Sequence, residues 1–216
     1  MELVVYALLL LTSVVALTFI IERGVMLRWR RVVPTEIEAA VESCQSAEDV
    51  PMLRRVCEQH DSPMSRLLLM AIKHLDWPQA ENVDALQTRA RKEITRLERG
   101  LVVLEIVVGI APLLGLVGTI VGMMSVFGDI GQQGLNDAQK LAQGIALILR
   151  ATLLGLLIAI PSLIFWSYYS KKVETLSVDM ETLSDEFIRR QYRSEGAHES
   201  TPRSPAKISP QPETVA

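Results

Sequence analysis

Aromatic residues are scarce, at 5% of 216 positions, which weighs against a stacking platform for bases or sugars. The formal net charge of -3 comes with no dense basic patch interleaved with aromatics, which argues against nucleic-acid binding. Cysteine occurs only at Cys44 and Cys57, without C-x-x-C spacing. These read as reduced thiols of a cytoplasmic segment, with a disulfide as the alternative. His60, His74 and His198 are scattered through polar stretches without metal-ligand spacing, so no metal site is expected. No G-x-S-x-G, H-E-x-x-H or Walker-type loop is present, and no histidine falls in an apolar run where a serine could use it. The expectation is a chain that is not an enzyme and carries no cofactor.

What is present is apolar and segregated. Hydrophobic residues make up 49% and charged residues 22%, and the two are concentrated in different stretches. Residues 1–22 contain a charge-free run from Leu3 to Ile21, preceded by Met1 and Glu2 rather than a basic region. That order suits an uncleaved membrane span better than a signal peptide. Arg23, Arg28, Arg30 and Arg31 follow it and mark the cytoplasmic side, which puts the N-terminus outside. Residues 23–100 read as a cytoplasmic helical domain. Ser46 with Asp49 resembles a capping box, and Ser62 before Pro63 is a helix start that runs to His74. From Asp84 the apolar spacing of Leu86, Ala90, Ile94, Leu97, Leu101 and Leu104 predicts one long helix passing into the next span.

A second span covers residues 101–127, a periplasmic turn 128–140, and a third span 141–170. Trp166, Tyr168 and Tyr169 form an interfacial belt ahead of Lys171 and Lys172. All three spans agree on a periplasmic N-terminus and a cytoplasmic C-terminus. Residues 171–193 carry a heptad-like stripe, Val173, Leu176, Met180, Leu183 and Phe187, on a helix continuing the third span. The remainder, residues 194–216, is rich in Pro, Ser, Thr and Glu and is expected to be disordered. The fold class is therefore all-α, a three-span membrane protein with long helices extending into the cytoplasm.

Inside the spans several residues are out of place for a simple anchor. Gly115, Gly118 and Gly122 in the second span, and Gly144, Ala151, Gly155 and Ala159 in the third, let other backbones approach closely. Pro112 and Pro161 each remove a helical hydrogen bond and are open to two readings, a structural kink or a hinge. Thr119 and Thr152 lie at matching depth. Each hydroxyl either bonds back to a carbonyl one turn earlier or joins a ring lining a polar lumen. Arg150 costs on the order of 3 kcal/mol at mid-span on insertion scales. It either snorkels outward or pairs with a carboxylate, and Asp129 is the candidate at similar depth in this chain.

The segments Ala111-Pro-Leu-Leu-Gly-Leu-Val-Gly-Thr-Ile-Val-Gly-Met124 and Gly144-Ile-Ala-Leu-Ile-Leu-Arg-Ala-Thr-Leu-Leu-Gly-Leu-Leu-Ile-Ala-Ile-Pro161 resemble two motifs of the ExbB/TolQ/MotA proton-channel family. The likeness is to its ExbB/TolQ branch, since the MotA branch usually has four spans. The resemblance implies a bacterial inner-membrane protein in which a homo-pentamer of this subunit encloses a dimer of single-span ExbD/TolR-like helices. The partner helix carries the aspartate that takes the proton, and threonines matching Thr119 and Thr152 face it and serve the proton path. Proton flow then energises an outer-membrane machine through a TonB/TolA-like protein. Many members carry a glutamate where this chain has Leu147, and here Arg150 stands one turn on. That departure moves the acidic proton carrier off this subunit. The alternative expectation is a passive membrane scaffold without ion conduction.

Overall fold

The computed structural model describes residues 2–133 and 138–199, with the side chains of residues 2, 129–133, 138, 140, 141, 143, 147 and 194–199 outside the description. Among the described residues every regular element is helical. Chain order is α1 Glu2–Met26, α2 Trp29–Val32, α3 Thr35–Ser43, a 3₁₀ turn Ala47–Asp49, α4 Val50–Gln59, α5 Pro63–Lys73, α6 Gln79–Glu98, α7 Leu101–Gln133 and α8 Ala138–Glu199. Three helices are long and apolar enough to cross a membrane, over Leu3–Met26, Leu101–Gly128 and the stretch of α8 from Gly144.

Length alone divides α8. Its 62 residues extend about 93 Å at 1.5 Å per residue. A bilayer core of about 30 Å can hold only a third of that. The rest protrudes and becomes the spine of the polar domain. Val173, Leu176, Met180, Phe187 and Ile188 form its buried stripe. They pack in one cluster with Ile37 and Val41 of α3, Leu53 of α4, Leu67 and Leu68 of α5, and Leu86 and Ala90 of α6. The 3-4 spacing along α8 is what aligns these residues on one face.

Local signals set the smaller helices. Ser46 and Asp49 form the capping box, which opens the 3₁₀ turn leading into α4. Ser62 accepts the Ser65 amide at 3.1 Å, and Pro63 occupies the first turn of α5. At the far end of α8, Arg190 donates to the Val41 and Glu42 carbonyls, both at 3.3 Å, closing the C-terminus of α3. Tyr192 presents its hydroxyl to the Trp77 carbonyl at 2.8 Å, while Asn82 of α6 donates to that same hydroxyl at 3.1 Å. These contacts pin the α5–α6 connection to the spine.

Glu93 of α6 is fully buried, and three guanidiniums surround it. Arg66 reaches it at 2.9 Å, Arg89 and Arg96 each at 3.2 Å. A carboxylate withdrawn from water needs such partners, since its desolvation costs several kcal/mol. Arg66 comes from α5, so the cluster also fastens α5 to α6.

Several boundaries differ from the sequence expectation. Helix α6 starts at Gln79 rather than Asp84, because Pro78 takes the N-cap position and the buried Asn82 holds the first turn down. It does not run unbroken into the second span. Residues 99 and 100 form a turn, and at Gly100 an added Cβ would lie 1.9 Å from Nε of Arg23. The missing side chain is what lets that guanidinium lie against the backbone. Helix α1 extends to Met26 instead of stopping at residue 22. The turn expected over 128–140 is entered from both sides, by α7 through Gln133 and α8 from Ala138, and residues 134–137 lie outside the described residues. Helix α8 takes in residues 194–199 of the expected tail, whose Glu, Ala and His tolerate helix ahead of Pro202. Residues 200–216 lie outside the described residues.

In the apolar part, α7 and α8 share the most extensive interface, with α1 packed on both. The seam runs along glycines. A Cβ on Gly155 would come within 2.6 Å of the Ala111 carbonyl oxygen, and one on Gly115 within 2.9 Å of the Ala151 carbonyl oxygen. Gly118 abuts Ala151 and Val5 of α1, Gly122 abuts Ile148, and Gly144 abuts Val126. In contrast, nothing lies within 4 Å of the Cβ position at Gly109.

Gly155→Val is therefore expected to lower stability by about 3 kcal/mol, because the obstacle is backbone that no rotamer change can move. Gly109→Val should shift stability by less than about 0.5 kcal/mol plus its helix-propensity gain. Unfolding of detergent-solubilised protein by graded denaturing surfactant would compare the two. Both thiols are free and buried, and burial pushes Cys57 up to about 12 and raises Cys44. A raised thiol pKa keeps the nucleophilic thiolate scarce at neutral pH. Native alkylation of Cys57 at pH 8 should be slower than for a free thiol by on the order of a thousandfold, Cys44 should be slowed in the same direction, and both should react fast after denaturation.

Candidate functional site in the α7–α8 seam

Pro112 sits in α7 and Pro161 in α8, and both helices continue through them. Each proline leaves one carbonyl without its helical donor, that of Val108 and that of Leu157. Three residues beyond Pro112, Gly115 opens the seam, and its carbonyl becomes a shared acceptor. In an α-helix that oxygen accepts the Thr119 amide. Thr152 of α8 also donates to it, across the seam, at 3.3 Å. The glycine at 115 makes this reach possible, since a side chain there would strike Thr152 Cα at 3.0 Å.

The two threonines thus fall within about one turn of each other, but they behave differently. Thr152 is half-buried and bridges helices. Thr119 donates to the Leu116 carbonyl within its own helix at 2.6 Å, the local back-bond open to any helical threonine. Each hydroxyl retains acceptor lone pairs, so each can still receive a hydrogen bond from outside the subunit. Around them Leu113, Leu116, Ile120 and Leu153 are exposed.

Arg150 projects on the exposed side of α8, next to the exposed Leu149 and the buried Ala151. Among the described residues no carboxylate lies within ion-pair distance of it. The Asp129 side chain, its expected partner, lies outside the described residues, as does that of Leu147. An exposed guanidinium at this depth has to meet headgroups, water or another chain.

The charge inventory constrains what this seam can do. From residue 101 to 128 the sequence contains one acid, Glu105 near the start of α7, and from 141 to 169 the one ionisable residue besides tyrosine is Arg150. Threonine hydroxyls can pass a hydrogen bond along but do not hold or release a proton near neutral pH. A proton crossing here would need an acid from elsewhere. Among the described residues no group of His, Cys, Asp and Glu is arranged to hold a metal.

The sequence did not point to one polar residue of the apolar part, Ser162, or to the contacts that Tyr169 and Arg23 make. Ser162 is buried and bonds back to the Ile158 carbonyl at 2.7 Å. Tyr169 donates to the Ile20 carbonyl of α1 at 3.0 Å, and Arg23 packs on Gly100. Ser162 follows Pro161 directly, which was the one available signal. The other two are pairings between distant positions and leave no trace in spacing.

Comparison with known proteins covers both seam helices. The MotA/TolQ/ExbB proton channel family matches residues 59–182. The biopolymer transport protein ExbB of Aquifex aeolicus is 35% identical over 104 residues, 48% of this chain and 70% of that protein. ExbB of Helicobacter pylori is 37% identical over 97 residues, 45% of this chain and 62% of that protein. An ExbB-like protein of Synechocystis is 35% identical over 162 residues, 72% of this chain and 63% of that protein. The matched stretches thus take in between three fifths and three quarters of these relatives. With over half its length and both glycine–threonine segments inside the match, this multi-pass membrane protein belongs to the MotA/TolQ/ExbB proton channel family.

Proposed function

We propose that the chain is the non-catalytic, path-lining subunit of a proton channel that converts proton-motive force into work in the bacterial inner membrane. The observation that carries this reading is the Thr152–Gly115 contact, which sets a hydroxyl pair on a close-packed seam in spans almost without acids. Such a seam can position and relay but needs a partner to carry charge. A single-span ExbD/TolR-like helix bearing an aspartate supplies it, enclosed by five copies of this subunit. Movement of those inner helices then reaches an outer-membrane transport or envelope-maintenance system through a TonB/TolA-like protein. The arginines after α1 and the lysines after residue 170 support a periplasmic N-terminus and a cytoplasmic C-terminus. Arg150 would pair with a carboxylate of a neighbouring chain.

One observation favours a second reading, a passive scaffold. The Thr119 hydroxyl is already satisfied within its own helix. The two readings part on Thr119→Ala and Thr152→Ala, made in the complex co-expressed with its single-span partner. For a channel subunit, proton flux into proteoliposomes should fall about tenfold or more, ~1.4 kcal/mol of barrier, while native mass spectrometry shows assembly retained. Unchanged flux in both variants would sink the channel role. Arg150→Leu in the same assay should alter the pH dependence of flux, and a profile identical to the wild type removes Arg150 from the mechanism.

A further inference from the structure

Three contacts between distant positions define where the apolar part ends. Tyr169 of α8 meets the Ile20 carbonyl, Gly24 of α1 faces the Tyr169 hydroxyl, and Arg23 of α1 lies on Gly100 at the head of α7. Below this level the spans are apolar but for Glu105 and Arg150, and above it stand Lys171 and Lys172. The ends of the three apolar helices therefore lie at one level.

At that plane the polar domain opens a cleft of about 640 Å³ against the membrane end of α1. This falls in the range of small-ligand sites, roughly 300–1,000 Å³. Its wall carries five arginines, Arg23, Arg30, Arg31, Arg66 and Arg96, against two carboxylates. Those two are committed: Glu93 to Arg66, Arg89 and Arg96, and Asp61 to Arg66. Arg30 and Arg31 are exposed and, among the described residues, make no ion pair.

Arg23 is unusual among the five. It is 8% exposed, bonds the Leu97 carbonyl at 3.3 Å and Glu22 at 3.2 Å, yet its Nε has no partner. That Nε lies against the Gly100 backbone, so what Arg23 offers a ligand in the cleft is positive charge beneath it rather than a free donor. Met26 and Leu97 line the same cleft, so it joins an apolar wall to a cationic one. Free phosphate has no use for the apolar wall. A molecule with an anionic head and an acyl chain fits both.

We propose that this cleft binds the phosphate of an anionic phospholipid headgroup at the membrane boundary, held by Arg30 and Arg31 with Arg23 beneath. The seat is independent of the channel reading, since it shares no residue with the α7–α8 seam. Its contribution would be to fix the polar domain relative to the bilayer plane, where α1, α6 and α7 meet. Basic pockets at the cytoplasmic ends of spans suit such headgroups.

The test uses full-length protein in mixed micelles containing phosphatidylglycerol and phosphatidylcholine at equal fractions, with retained lipid counted by native mass spectrometry. Wild type should retain phosphatidylglycerol with roughly tenfold preference. Arg30→Gln with Arg31→Gln should bring the preference near one. The charge-matched control, Arg54→Gln with Arg55→Gln on exposed positions of α4 that do not line the cleft, should leave it unchanged. Because both altered pairs are exposed, folding is retained, whereas Arg23→Gln alone could act through the packing on Gly100. Equal retention of the two lipids, or a preference that survives in the cleft variant, overturns the proposal. So does an equal loss in the control, which would mark a diffuse surface effect. Displacement of the lipid by millimolar inorganic phosphate would assign the cleft to a free anion instead.

Discussion

Close backbone approach between α7 and α8 is the constraint on which the apolar half of this molecule depends. In lipid, apolar side chains gain nothing by leaving one hydrocarbon environment for another, so helices associate through van der Waals fit and interhelical hydrogen bonds. The seam meets both demands. Gly155 against Ala111 and Gly115 against Ala151 bring main chain onto main chain. The Thr152 hydroxyl adds a bond that only this proximity allows. Larger residues at 115 or 155 would remove the fit and the bond together, so packing and polarity here are one property.

The protruding half obeys a different rule because it stands in water. There the spine of α8 buries Val173, Leu176, Met180 and Phe187 in one cluster with residues of α3, α4, α5 and α6, and burial itself drives assembly. Charge is admitted only where it is paired, as with Glu93 among three arginines. One helix thus belongs to two solvents, and the change of rule happens at the plane marked by Tyr169, Gly24, Arg23 and Gly100. Gly100 shows how the two halves are joined. The helix that periodicity would carry through residues 99 and 100 is broken there, where a buried arginine from α1 occupies the space a side chain would need.

Much of the architecture could be read in advance because it rests on local rules. Spans are set by length and hydropathy, α4 and α5 by the capping residues Ser46, Asp49 and Ser62, and the α8 stripe by its 3-4 spacing. Helix ends were less legible. The start of α6 at Gln79, the continuation of α7 to Gln133 and that of α8 to Glu199 depend on weak preferences that neighbouring packing decides. For the site, the sequence offered Thr119 and Thr152 as a matched pair with the same two roles open to each. The structure separates them: one hydroxyl turns back into its own helix and the other crosses to Gly115. Nothing in the residue type distinguishes these outcomes, since both are hydrogen bonds from threonine to a main-chain carbonyl.

The sequence by itself determined the number of spans, the all-α class, the place of the glycines and threonines within the spans, and the near absence of acids there. All are properties of composition along a line, and a bilayer converts such properties directly into structure. Which helices the glycines face, which carbonyl Thr152 reaches, and which arginine fills the gap at Gly100 were decided only by the tertiary structure. Each is a meeting of positions tens of residues apart. Spacing along the chain carries the period of a helix but not its rotation about a neighbour, and that rotation fixes every one of these contacts.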